Sequence, residues 1–234
     1  MKPLKFLFLI LIVFSVTSCN KNQEDATGVG DAIIISKKSG ADVVYGYSLY
    51  AYTFSSFQSV KAEWVNNSVA DVVYTLKSNQ GYKTNFYYET PSAEFTTTRP
   101  KASSFRFSAV FENGATDEFL DEVSEKVLTL PVIDKTEYNS TDQELGVYWT
   151  SVVDANSYAI NIFDGSNLVY SSPELANTVK YFPVNSASGW TSGIAPVIGK
   201  TYKIRLLALL YEPNGDAYNI QAVSMVEKDI IWGK

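Results

Sequence analysis

Asp117, Glu118, Asp121, Glu122 and Glu125 place five carboxylates within nine positions, the densest acidic group in a chain of 234 residues. Such a group suggests two chemistries. Calcium takes about 6–8 oxygen ligands from carboxylates, carbonyls and water. Glycoside hydrolysis needs a carboxyl pair held either about 5 Å or about 6.5–9.5 Å apart. The stretch lacks the ligand alternation and central glycine of an EF-hand loop. With 25 acidic residues in the chain, some pair meets any spacing by chance. The group therefore reads as a solvated helix or loop face, and no catalytic residue, metal ligand or cofactor is assigned. Histidine is absent and Cys19 is the single cysteine. This excludes Ser-His-Asp and Cys-His nucleophile systems and histidine-based zinc sites, and no disulfide can form within the chain.

Aromatic residues are the stronger lead, with 16 Tyr, 13 Phe and 4 Trp. If Trp149 points into a core, strand alternation turns Tyr148 outward, and Tyr87 stands opposite Phe86 in the same way. Trp190 sits in the Gly/Ser-rich stretch Asn185–Gly193, the kind of loop on which rigid scaffolds carry binding residues. Trp190, Tyr148 and Tyr87 are accordingly the candidate ligand-binding residues, able to stack on a sugar ring or to anchor a protein contact. The competing expectation is that Trp190 folds back to plug one end of the fold. Leu207 and Leu209 face outward if Leu206 and Ala208 face inward, and exposed apolar pairs mark contacts. The preferred contact is a seam with the first half of the chain.

The elements that must position these residues are strands. From Ala32 onward the apolar period is 2, and the composition favours Val, Ile, Thr, Tyr and Phe. Val43 to Phe54 changes phase after Leu49, which predicts a β-bulge or a strand passing between sheets. Val60, Ala62 and Trp64 share a face, as do Val72, Tyr74 and Leu76, then Tyr82, Phe86 and Tyr88, then Phe105, Phe107, Ala109 and Phe111. Asn113-Gly114 predicts a hairpin turn. Phe119, Leu120, Val123 and Val127 suit a short helix after Thr116, with a closing strand over 124–130. Pro131 interrupts pairing once about a hundred residues are complete, so domains are expected at 31–130 and 131–234.

The N-terminus is an address. Lys2 and Lys5 precede the apolar run Phe6–Phe14, too short to span a bilayer and shaped as a secretory signal. Val16-Thr17-Ser18-Cys19 resembles the lipobox of bacterial lipoproteins. That resemblance implies a signal peptide over 1–18, cleavage between Ser18 and Cys19, and acylation of Cys19. Residues 19–30 read as a lipidated, polar tether. Gln23-Glu24-Asp25 is similar to the acidic export signal of Bacteroidota surface lipoproteins, which implies an outer-membrane anchor displayed at the cell surface. Loss of residues 1–18 leaves 17 basic and 25 acidic residues, a formal charge of −8. With this acidic balance and no basic run, nucleic acid is disfavoured and is not expected as a partner.

Leu145-Gly146-Val147-Tyr148-Trp149, Tyr158-Ala159-Ile160-Asn161-Ile162 and Gly199–Ala208, with Tyr202 at the tyrosine-corner position, resemble a fibronectin type III domain. The resemblance covers about residues 132–230 and brings no catalytic residues. The expected fold is all-β: two Ig-like or fibronectin type III-like β-sandwiches in tandem after a cleaved signal and a tether. Fimbrillin-type lipoproteins also combine a lipobox with two sandwiches. They mature at an arginine beyond the anchor, however, and the first arginine here is Arg99, deep in the first domain. The expected function is non-catalytic binding or adhesion at the cell envelope, toward a glycan or an envelope protein. The alternative is a spacer or accessory subunit of an outer-membrane complex.

Overall fold

The computed structural model describes residues 26–65, 72–191, 193–213 and 219–234. The leader, Cys19 and the Gln23-Glu24-Asp25 group lie outside the described residues.

The fold is all-β. Seven strands build the first half: β1 (Gly28–Ser39), β2 (Asp42–Thr53), β3 (Phe57–Val65), β4 (Val73–Asn79), β5 (Tyr82–Glu89), β6 (Ser103–Phe111) and β7 (Thr116–Val123). They are hydrogen-bonded in the order β1-β2-β5-β4-β3-β6-β7. The sheet curls so that β1-β2-β5 packs over β3-β6-β7, with β4 paired to both layers, an Ig-like sandwich. Alternation fills the space between the layers. Phe105, Phe107, Ala109 and Phe111 of β6, with Phe57, Val60 and Ala62 of β3, are buried against Ala32, Ile34, Leu49, Ala51 and Phe86. Gly30 allows β1 to run close over the ring of Phe107, where a Cβ would come within 2.4 Å of it.

The second half contains β8 (Val132–Asn139), β9 (Glu144–Thr150), β10 (Ser157–Asp164), β11 (Asn167–Ser171), β12 (Leu175–Ala176), β13 (Tyr181–Asn185), β14 (Thr201–Tyr211) and β15 (Ile220–Ile231). One layer is β11-β10-β14-β15 and the other is β13-β9-β8, the fibronectin type III arrangement. The residues that carried that resemblance hold it together. Trp149 and Tyr158 are buried 5.5 Å apart between centroids. The Tyr158 hydroxyl accepts the Val152 N–H at 2.6 Å, and the Tyr202 hydroxyl accepts the Val197 N–H at 3.0 Å, closing a tyrosine corner.

The two halves are more than beads in tandem. β1 pairs in parallel with β15, matching Ile34–Lys37 to Ala222–Met225, so one sheet runs through both. The connector between β7 and β8 lies along this joint. The Ser124 hydroxyl bonds Gln221 Oε1 at 2.6 Å, and the Ser224 hydroxyl donates to the Leu128 carbonyl at 2.8 Å.

Four local expectations need correction. β2 pairs with β1 through all twelve residues without a register shift, so no bulge explains the phase change after Leu49. Leu49 and Ala51 face the core, while Tyr50 and Tyr52 stack on the opposite face at 6.1 Å. Both faces are apolar for different reasons, which imitates a phase slip. Second, 116–123 is strand, not helix, and 124–131 is the connector. The positions that suited a helix alternate instead, with Asp117, Phe119, Asp121 and Val123 turned toward β1. Third, β1 begins at Gly28, inside the stretch expected to be tether. Fourth, Tyr82 is 65% exposed, because a register shift at Ser78/Asn79 takes it out of line with Phe86 and Tyr88.

Candidate functional site

The binding residues expected from alternation and loop composition do not converge. Trp190 is half-buried and packs against Tyr170, Tyr202 and Trp232, with centroids 5.3, 6.0 and 5.3 Å away. Its Nε1–H donates to the Asn185 carbonyl at 2.9 Å. Both its ring and its polar edge are engaged, so Trp190 is the plug of the second sandwich and not a ligand platform. Tyr148 lies on the outer face of β9, 4.6 Å from Tyr181, with the Lys135 ammonium 4.4 Å above its ring. Tyr87 stands on the outer face of β5 beside Tyr50, 6.4 Å away. Leu207 and Leu209 pack with Ile33, Ile35, Val223 and Met225 where β14, β15 and β1 run side by side. That is the seam between the halves. Trp232 is buried against Tyr138 and fastens the end of β15.

The acidic group is divided by strand alternation. The Asp117 carboxylate accepts the Gly28 N–H at 3.0 Å, and the Asp121 carboxylate accepts the Ala32 N–H at 2.7 Å. These side chains serve as the missing strand partner along the part of β1 that neither β7 nor β15 pairs by backbone. Among the described residues, no group of three or more His, Cys, Asp or Glu is placed to hold a metal ion.

The best-formed site is one that the sequence did not single out. A cavity of about 600 Å³ opens at the end of the first sandwich where β2 begins, β3 ends and β5 ends. Its wall is made by Tyr47, Trp64, Tyr74 and Tyr88, the last inward-facing rings of four strands. Tyr47 lies 5.8 Å from Trp64 and 5.2 Å from Phe105, and Trp64 stacks on Phe105 at 6.3 Å. Tyr74 lies 4.8 Å from Tyr88. Phe105 is fully buried beneath them, so the rings rest on a rigid floor. The roof is the segment after β5, which turns through a single 3₁₀ turn at Ser92–Glu94 and crosses back over β2. Tyr45 and Thr96 exchange backbone hydrogen bonds at 2.7 and 3.0 Å, and the Thr90 hydroxyl bonds both backbone groups of Tyr47. Gly46 is needed beneath this roof, since a Cβ there would meet Thr90 and Phe95 within 3 Å.

The chemistry at the mouth is polar. Glu94, Thr96, Thr98, Arg99 and Lys101 line it. One N–H of the Arg99 guanidinium donates to the Glu125 carbonyl at 3.1 Å, which fixes the side chain at the rim. Burial pushes the Tyr74 phenol up to about 12, reinforced by Tyr88 and Glu94. Tyr47 also rises to about 12, by burial first and then by Tyr74, against a hydrogen bond with Ser103. Burial and the Glu94 charge raise Tyr88 too. All three phenols therefore keep their protons at neutral pH and can donate hydrogen bonds. Flat rings with hydroxyl, carboxylate and guanidinium groups around them suit a ligand having an apolar face and a polar edge.

No family model matches the chain, and comparison with curated proteins finds no match. Among solved structures, a chain of a "Cytokine receptor complex - Crystal form 1A" is similar at 12% identity and a TM-score of 0.32, covering 87% of this chain and 97% of that one.

The sequence did contain a signal for the cavity. Trp64, Tyr74 and Tyr88 are each the aromatic nearest the same end of their strands, and they precede or follow non-periodic segments. Inward alternation assigned them to the core. Only the curl of the sheet leaves that end of the core open.

Proposed function

We propose that this is a lipid-anchored cell-envelope protein that binds a glycan, without catalysis, in the aromatic mouth of its first sandwich. The observation that carries the reading is the cavity of about 600 Å³ walled by Tyr47, Trp64, Tyr74 and Tyr88 and rimmed by Glu94 and Arg99. A volume of that size is within the usual range for small-molecule sites. Sugar rings present C–H faces that stack on aromatic rings and hydroxyl edges that pair with carboxylate and guanidinium groups. Glu94 is the one carboxylate among the described lining residues, whereas glycoside hydrolysis uses two. That supports recognition over turnover. Anchoring through Cys19 at the outer membrane, facing outward, is part of the same proposal and rests on the lipobox and the acidic group after it.

Two measurements test it. Binding of the mature chain to an array of neutral oligosaccharides is compared with its Trp64→Ala and Tyr74→Ala variants. Each variant should weaken the best ligand at least about tenfold, about 1.4 kcal/mol, while Trp190→Ala lowers stability and leaves the affinity of the folded protein unchanged. A ligand bound equally by all four proteins would place recognition elsewhere. For the anchor, Cys19→Ala should move the protein from the membrane fraction to the soluble fraction. Continued membrane association with unchanged leader cleavage would refute acylation at Cys19.

A further inference from the structure

The directions of the seven strands sort the turns of the first sandwich to its two ends. β1, β3, β5 and β7 start at the end where β2, β4 and β6 stop. Gly28, the turn after Thr53, the turn at Gln80-Gly81 and the turn at Asn113-Gly114 therefore share that end, and the aromatic cavity opens at the other. Hydrogen bonds draw these turns together. The Thr53 hydroxyl donates to the Thr27 carbonyl at 2.7 Å, and the Glu112 N–H donates to the Ser56 carbonyl at 2.9 Å.

This is also the end at which the N-terminal segment joins the body, and it carries free-standing apolar side chains. Phe54 is 110% exposed, Val29 66% and Tyr82 65%. Apolar groups held out of a core at one end of a sandwich are free to enter a contact. Ionic groups beside them are engaged within the fold. Lys83 pairs with Glu112, and the Asp117 carboxylate is bonded to the Gly28 N–H. Among the described residues, the strands of the second half stop short of this end, because its sheet is staggered. Ile34 lies beside Ala222, so β15 begins level with Ala32, about 13 Å along β1 from Gly28.

We propose that this end is a membrane-seating surface, with Phe54, Val29 and Tyr82 resting in the interfacial layer of the bilayer that holds the N-terminal anchor. The inference builds on the acylation of Cys19. Six residues lie between Cys19 and Ala26, and even fully extended the seven steps reach only about 25 Å. Within that reach the tether supplies a high effective concentration, so three side chains suffice where they could not recruit a free protein. Aromatic rings prefer the headgroup level. Seated this way, the cavity faces away from the lipid, roughly 25 Å further out along the strands.

The test does not depend on natural acylation. The chain from Cys19 to Lys234, whose one cysteine is Cys19, is coupled through that thiol to a maleimide phospholipid in vesicles of zwitterionic lipid. Tryptophan is introduced singly as Phe54→Trp or, at the far end of the second half, as Val197→Trp. Both sites are exposed, so folding is preserved. Lipids brominated in the upper acyl chain, about 5–10 Å below the surface, should quench and blue-shift the added emission at 54 and leave that at 197 unchanged. Equal quenching at both sites, or none at 54, would overturn the proposal. So would a blue shift at 54 that follows protein concentration without lipid, which would make this end an interface between copies. Failure of natural acylation is seen separately, in the mass of the N-terminal peptide from the native host.

Discussion

Asp31 illustrates how much one side chain can reveal. It stands on β1 directly opposite Tyr50. Burial first, and then the charges of Asp121 and Glu212, push its carboxyl up from 3.8 to about 7. The folded protein thus holds a proton that the unfolded chain gives up at lower pH. Stability from this group is full below about pH 4 and is lost as pH rises toward 7. Asp31→Asn should therefore raise the melting temperature at pH 8, by a gain on the order of 3 kcal/mol, and change little near pH 4. Thermal melts of both proteins at the two pH values check this, and an equal shift at both would show that ionisation is not the cause. None of it was legible in the sequence, where Asp31 is one acid beside a glycine. Its neighbours are 90 and 181 residues away along the chain.

At the scale of elements, the least expected device is the closure of the first sandwich. β1 leaves N–H groups along one edge, and β7 supplies carboxylates in place of a backbone ladder. The Ala32 N–H is fully buried and ends on Asp121. Asp121→Ala would strand that donor and should cost about 1–3 kcal/mol. Asp121→Asn keeps an acceptor oxygen and should cost less. Denaturant titration of the three proteins separates these outcomes, and equal losses would show that the hydrogen bond is unimportant. The sequence displayed the same acids as a dense group, and spacing alone suggested a solvated helix face. Only the position of β1 shows why Asp117 and Asp121 occur at alternate positions with Phe119 between them.

For the whole molecule, the decisive feature is the joint of β1 with β15. A four-residue parallel ladder, the buried hydroxyls of Ser36 and Ser224, and the apolar face of Ile33, Ile35, Leu209, Val223 and Met225 hold the halves together. An interface of this kind couples unfolding. The wild-type chain should melt in one calorimetric transition whose enthalpy matches the van't Hoff value, and Val223→Asp should split it in two. Two transitions in the wild type would mean that the halves fold independently. A fixed joint also means that the cavity and the membrane-seating end keep a constant relation to the second sandwich.

Local pattern was enough for the strand content, the inward faces of β3 and β6, and the fibronectin type III half with its Trp149, Tyr158 and Tyr202. Each depends on period-2 alternation or on residues close in sequence, which the chain states directly. The aromatic cavity, the carboxylate closure and the continuous sheet depend on which edges and ends meet after the sheet curls. That is settled by packing between residues tens to nearly two hundred positions apart, and alternation assigns a side chain to a face without saying whether that face is closed at its end.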